Sequence, residues 1–198
     1  MSSDFLALIL FILVLFLTPG PATLSLAASG AQNGFKGTLN YFLGIFTGLV
    51  LNMALVIFGL AFVFTDYPLI YTGFKYISLI YILYLSYKIA QTKPEAEAKD
   101  STFTYSKGFV LNMINPKAYI GNAALIAQFS QPGEQYLHSV SIIFLLIISI
   151  VPFTNVLWIL AGKQIAAVFK SKEAGRVVQL SFAGLLSVSV IYVMLFVD

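Results

Sequence analysis

Two proline-disrupted stretches constrain this chain more than any other feature. The first, Leu17-Thr18-Pro19-Gly20-Pro21-Ala22-Thr23, lies inside an uncharged apolar run from Phe5 to about Ser29. The second, Asn112-Met113-Ile114-Asn115-Pro116-Lys117, interrupts another apolar run between Gly108 and Phe129. Proline has no N–H and blocks the carbonyl four residues back, so a helix through these points would strand the carbonyls of Leu15, Leu17 and Asn112. Hydrocarbon cannot satisfy a stranded carbonyl, so each break must face protein or a watery cavity. Each run therefore reads as two half-helices meeting at a polar point. Paired interruptions at corresponding places in two halves of a chain are the sequence mark of a transporter's binding site.

Composition places these runs in a bilayer. The chain is 59% hydrophobic and only 10% charged, against roughly a quarter charged in a soluble domain. A spanning helix needs about 20 apolar residues. Six segments fit: 5–29, 38–64, 69–90, 108–129, 137–161 and 177–197. A membrane barrel would instead show alternating segments of about ten residues. The expectation is an all-α membrane protein with six transmembrane helices, the first and fourth broken.

Charge sets an orientation. Nine of the eleven basic residues fall in three connections: Lys36; Lys88, Lys93, Lys99 and Lys107; Lys163, Lys170, Lys172 and Arg176. The alternate connections and the ends hold Asp4, Asp66, Glu134, His138 and Asp198, with no lysine or arginine. The positive-inside rule then makes the basic connections cytoplasmic and puts both termini outside. The net charge of +3 is thereby explained by topology, and nucleic acid is not an expected partner. The N-terminal run lacks a basic n-region, carries Asp4 and exceeds the usual h-region, so it reads as a retained span and not a signal peptide.

Gly30 to Gly37 reads as a short cytoplasmic turn after the first span. Residues 92–107 form a mixed-charge linker between halves 1–91 and 108–198, within one transport domain spanning residues 1–198. Each half has an odd number of spans, so the second must run with opposite polarity, an inverted 3+3 repeat. Pro19 then lies about fourteen residues into its span and Pro116 about eight into its own. At about 1.5 Å per residue both reach the central part of the hydrocarbon from opposite sides.

The paired breaks offer both electrostatic polarities. The half-helix beginning near Ala22 and Thr23 presents partly positive N–H groups that suit a carboxylate. The stranded carbonyls suit an ammonium. A zwitterionic small molecule needs both, so the expected substrate-binding residues are Thr18, Pro19, Gly20, Pro21 and Thr23 with Asn112, Asn115, Pro116, Lys117 and Asn122. Asn52 in the second span, on a stripe with Gly44 and Gly48, and Asn155 beside Pro152 in the fifth add neutral hydrogen-bonding groups. A lysine at the bilayer centre costs about 2.5–3.5 kcal/mol. Lys117 is therefore expected to pair with a substrate carboxylate or carry a proton, the bland alternative being that it snorkels to the cytoplasmic face. No aspartate or glutamate lies within any span, which removes a buried carboxylate relay.

Catalysis is disfavoured. There is no cysteine and one histidine, His138, which leaves no thiol chemistry, no histidine metal cluster and little for a catalytic pair. The expectation is a non-enzyme without metal or cofactor.

With these residues in place, the chain resembles the lysine/threonine exporter translocator family, commonly called LysE/RhtB. The likeness is carried by Leu17-Thr18-Pro19-Gly20-Pro21, by Gly34 to Gly48 leading to Gly59, by Leu69 to Tyr87, and by Ser106-Lys107-Gly108-Phe109 through Asn115-Pro116-Lys117. Pro-Gly-Pro followed at this distance by Gly-Phe-x-x-Asn-x-x-Asn-Pro-Lys is a fairly specific combination. The resemblance implies a bacterial inner-membrane exporter of amino acids or their derivatives, driven by the proton gradient, and allows a homodimer. Ala22 departs from the asparagine or aspartate common there in the family, and Ser78 and Ser86 replace common glycines. Two other readings of the same helices are a passive channel or ion transporter of similar build, and a non-transporting membrane assembly protein.

Overall fold

A computed structural model describes residues 2–59, 66–91, 102–131, 133–168 and 172–196. The end of the expected second span (60–64), most of the expected linker (92–101, with Lys93 and Lys99), Lys170, Val197 and Asp198 lie outside the described residues, as do the side chains of Lys75 and Ser78. Seven α-helices occur among the described residues: α1 (Ser2–Leu17), α2 (Pro21–Ile57), α3 (Pro68–Gln91), α4 (Tyr105–Met113), α5 (Pro116–Phe129), α6 (Tyr136–Val168) and α7 (Lys172–Phe196).

This corrects the expectation of six spanning helices. Among the described residues only two helices, Pro21–Ile57 and Gly133–Ile165, are long and apolar enough to cross a bilayer by themselves. One reason is that the breaks shorten their segments. α1 has 16 residues, α4 has 9 and α5 has 14, each short of the roughly 20 a crossing needs. A second reason is that the expected turn at Gly30–Gly37 is reduced to a kink at Gly34, across which two helical arms join as α2. Its 37 residues take in the end of the first expected span and most of the second.

Gly34 makes that continuity possible. Its φ of 65° and ψ of −173° are non-helical, a conformation that only glycine adopts readily. The bend divides α2 into arms of residues 21–33 and 35–57. Thr38 Oγ1 donates to the Gly34 carbonyl at 2.7 Å and meets Ser29 Oγ at 3.0 Å, while Asn33 Nδ2 donates to Ser29 Oγ at 3.3 Å. These bonds lace the two arms across the bend, and the one from Thr38 satisfies the Gly34 carbonyl that the kink leaves open.

Both arms of α2 form the centre of the bundle, and glycines let neighbouring backbones come close. A Cβ on Gly30 would lie 2.2 Å from the Ile159 carbonyl oxygen, and one on Gly162 would lie 1.9 Å from that of Ala27, so the first arm presses on α6. In the second arm a Cβ on Gly44 would lie 2.0 Å from the Tyr105 oxygen, and one on Gly108 would lie 2.5 Å from that of Tyr41. The small-residue stripe of the second arm thus packs on α4, as such stripes do in membrane helices. α3 packs on α7, where Ser86 Oγ donates to the Ala183 carbonyl at 2.6 Å and meets Ser187 Oγ at 2.7 Å.

Polarity is arranged inside out. Leu6, Leu10 and Val14 project outward from α1 at four-residue spacing, each more than half exposed, and Phe153 and Leu157 do so from α6. Asn52, Asn112, Asn115, Asn122 and Asn155 are buried. An apolar exterior around an amide-rich interior suits a lipid solvent.

Substituting alanine at Gly44 or Gly162 forces backbone atoms apart and should destabilise the folded protein by about 1–3 kcal/mol, the usual scale of overpacking. Gly184, which has nothing within 4 Å of its would-be Cβ, is the control. Melting of the purified protein in detergent checks this, and equal melting of the Gly44→Ala and Gly184→Ala variants would contradict the packing argument.

Candidate functional site

The two breaks adjoin. α1 ends at Leu17, residues 18–20 are non-helical, and α2 begins at Pro21, whose fixed φ and missing N–H suit the first helical position. Thr23 completes the start: its hydroxyl accepts from the Gly20 N–H at 2.9 Å and donates to the Gly20 carbonyl at 3.1 Å. In the second break Asn115 caps α5, its side-chain oxygen accepting from the Lys117 N–H at 3.2 Å, and Pro116 takes the first helical position.

Lys117 joins the breaks. Its ammonium donates to the carbonyls of Thr18 at 2.7 Å and Pro19 at 3.2 Å. Hydrogen bonds to a charged group contribute about 1.5–3 kcal/mol each, so two of them offset the insertion cost of a lysine at this depth. The side chain therefore neither runs to the cytoplasmic face nor stands free. Gly20 makes room for it, since a Cβ there would lie 2.8 Å from Lys117 Cδ and 3.0 Å from Nζ.

The carbonyls expected to be stranded are thus only partly the ones in play. The Asn112 carbonyl accepts from the Asn115 N–H at 3.2 Å. The oxygens that hold the lysine belong to Thr18 and Pro19, which follow the end of α1. The Thr18 hydroxyl turns back to the Val14 carbonyl.

A cavity of about 40 Å³ lies between the breaks, room for a few waters. Its polar wall is made of Gly20, Thr23, Asn112, Asn115, Lys117 and Asn155, and its apolar wall of Leu15, Phe16, Ile45, Leu49, Val151 and Ala118, with Ala22 beside Thr23. Asn112 Nδ2 donates to the Ile45 carbonyl at 2.8 Å, which leaves its Oδ1 buried without a partner; Asn155 Nδ2 is likewise buried without a partner. Such orphaned groups cost about 1–3 kcal/mol each. One acceptor and one donor are thus left open to an occupant.

A second, wider cavity of about 510 Å³ lies on the other side of Lys117 and Gly20. Thr18, Pro19 and Pro21 form its inner edge, and its walls are apolar, including Phe11, Leu24, Ile120 and Leu185.

The sequence-derived candidates fall into three groups. Gly20, Thr23, Asn112, Asn115, Lys117 and Asn155 meet at the small cavity, and Thr18, Pro19 and Pro21 at the wider one. Pro116 is buried at the start of α5 and lines neither. Asn52 and Asn122 also line neither; Asn122 Nδ2 donates to Asn52 Oδ1 at 2.8 Å, tying α2 to α5. The apolar wall was missed because nothing in the sequence separates Leu49 or Val151 from dozens of other aliphatic residues. The signal for Val151 was its place beside Pro152 and four residues before Asn155.

Helices broken at apposed polar points within an apolar bundle define a membrane transporter. Residues 13–196 match the LysE type translocator family, and the chain belongs to that family. It is accordingly a multi-pass, inner-membrane secondary transporter that exports small metabolites, not an enzyme. The chain is 27% identical over 186 residues to an uncharacterised membrane protein of Pseudomonas aeruginosa, covering 86% of this chain and 85% of the relative. It is 29% identical over 165 residues to the cysteine/O-acetylserine efflux protein of Salmonella typhimurium, covering 81% and 83%. It is 28% identical over 120 residues to the leucine efflux protein of the same organism, covering 57% of each chain. No solved structure matches the chain.

The Asn52–Asn122 pair generates a prediction. Asn122 Oδ1 is buried without a partner and Asn52 Nδ2 makes no bond of good geometry, although the Tyr119 hydroxyl lies beside Asn52, so the pair makes one hydrogen bond where two amides can make two. Replacing either by leucine strands the other amide and should cost about 1–3 kcal/mol, whereas replacing both should be nearly neutral. A double-mutant cycle in thermal melting checks this, and simple additivity of the two losses would refute it.

Proposed function

We propose that the cavity between the breaks binds one small neutral amino acid, or a derivative of one, as its zwitterion, and that export proceeds by alternating access around it. The observation that carries this reading is a pair of buried, unpartnered amide groups on residues that line the cavity: Asn155 Nδ2 as donor and Asn112 Oδ1 as acceptor, with Lys117 in the same lining. An ammonium has three donors and Lys117 uses two on backbone, so a third can reach a substrate carboxylate. Asn112 Oδ1 then accepts from the substrate ammonium.

The remaining walls argue for substrate class. They are apolar and contain no carboxylate, which disfavours a cationic side chain and suits a small neutral one. The cysteine/O-acetylserine and leucine efflux proteins among the relatives carry substrate names of that kind. The cavity is small and partly open, so enclosing a whole amino acid would require the half-helices to separate further. The basic connections favour a protein with both termini outside.

Proteoliposomes loaded with labelled cysteine, O-acetylserine, leucine and lysine, under an imposed pH gradient, test the reading. Saturable efflux of the neutral compounds and little of lysine is expected. Asn155→Leu, which removes the open donor, should lower efflux at least tenfold, about 1.4 kcal/mol, without loss of the folded protein. A gradient-independent leak of all four compounds would instead favour the channel reading.

A further inference from the structure

We propose that the first break is a subsite for a primary ammonium ion and that Lys117 is its resident occupant, so the break stays closed without any alkali cation. The carbonyls of Thr18 and Pro19 converge on one point, 2.7 and 3.2 Å from Nζ. They follow the C-terminal end of α1, where the helix dipole is negative and favours a cation. Unwound carbonyls at such ends coordinate the coupling cation in other broken-helix transporters. Here the position is filled by a side chain that arrives from the other break.

The surroundings are shaped for that arrival. Gly20 has no side chain where the lysine stem passes, and a Cβ would meet Cδ at 2.8 Å. Among the described residues, Lys117 is the only charged or titratable one lining either cavity. On the outer side of the subsite the walls are apolar, with Leu24, Ile120 and Leu185, so no side chain there competes for the cation. Two carbonyls form a poor cage for a bare alkali ion, which takes several oxygens, but match the N–H donors of an ammonium. The inference stands apart from the amino-acid reading, because it concerns the closed break and not what is carried.

The test is melting of purified protein in detergent at constant ionic strength, a readout that requires no transport. Wild-type protein should melt at the same temperature in sodium, potassium and choline chloride. Lys117→Ala should melt lower, and propylammonium should raise its melting temperature saturably, as a ligand of the folded state does. Tetramethylammonium, which has no N–H, should not. Lys117→Met, which keeps the apolar stem and removes the ammonium, should also melt lower than wild type, and serves if Lys117→Ala does not fold. Loss of wild-type stability when sodium is replaced by choline would overturn the proposal. So would a Lys117→Met variant that melts like wild type, or a folded Lys117→Ala that responds equally to both ammonium ions. Neutral amino-acid efflux failing in proteoliposomes while these melting results hold would count against the transport reading alone.

Discussion

One ammonium group holds the centre of this protein together. Lys117 reaches from the start of α5 to the two carbonyls that α1 leaves behind, and in doing so satisfies three conditions at once. The carbonyls past the end of α1 gain a charged donor. The lysine gains partners that offset its cost of insertion. The two breaks, nearly a hundred residues apart in the chain, are fixed against each other. Without that bond each break would have to be satisfied separately, by water or by unwinding further.

The rest of the bundle can be understood as support for that contact. α2 begins at the first break and, through the bend at Gly34, carries its second arm back alongside α4, which ends at the second break. Glycines set the separation at both seams: Gly30 and Gly162 bring α2 onto α6, and Gly44 and Gly108 bring it onto α4. Packing this close leaves little slack, so the half-helices meet within hydrogen-bond reach and not merely in the same region. Asn112 strengthens the second seam by donating to the Ile45 carbonyl, while its oxygen is buried without a partner.

The sequence carried part of this arrangement plainly. Prolines cannot donate and cannot be ignored in hydrocarbon, so Pro19, Pro21 and Pro116 marked the breaks, and the amides beside them marked a polar interior. Lys117 was singled out by its cost alone. What could not be read was the direction in which a flexible side chain reaches: a substrate, a headgroup and a carbonyl across the break were equally compatible with its position. Asn52 and Asn122 were likewise correctly polar and buried, but their mutual bond depends on the relative rotation of α2 and α5. The turn expected at Gly30–Gly37 is present as a kink at Gly34, but far tighter than a run of breakers suggests. A cluster of breakers normally ends a helix, yet one glycine absorbs the whole turn, with Thr38 bonding the Gly34 carbonyl and Ser29 and Asn33 linking the two arms through side chains.

The same contact also limits how the protein can move. A cavity with room for only a few waters must enlarge to take any amino acid, and the glycine seams resist enlargement because backbone lies against backbone there. The breaks are the weaker places: residues 18–20 make no regular helical ladder, and Lys117 holds them through a flexible stem and two bonds. Opening that releases one of those bonds costs on the order of 1.5–3 kcal/mol, within reach of the binding energy of a zwitterion that offers the lysine a carboxylate in exchange. A carboxylate is the better partner for an ammonium than a carbonyl, whereas a ligand lacking one would have nothing to offer in return. A break closed by the protein's own cation is therefore one that a zwitterion can open more readily than a simple amine, and the selectivity follows from the charge that the chain already places there.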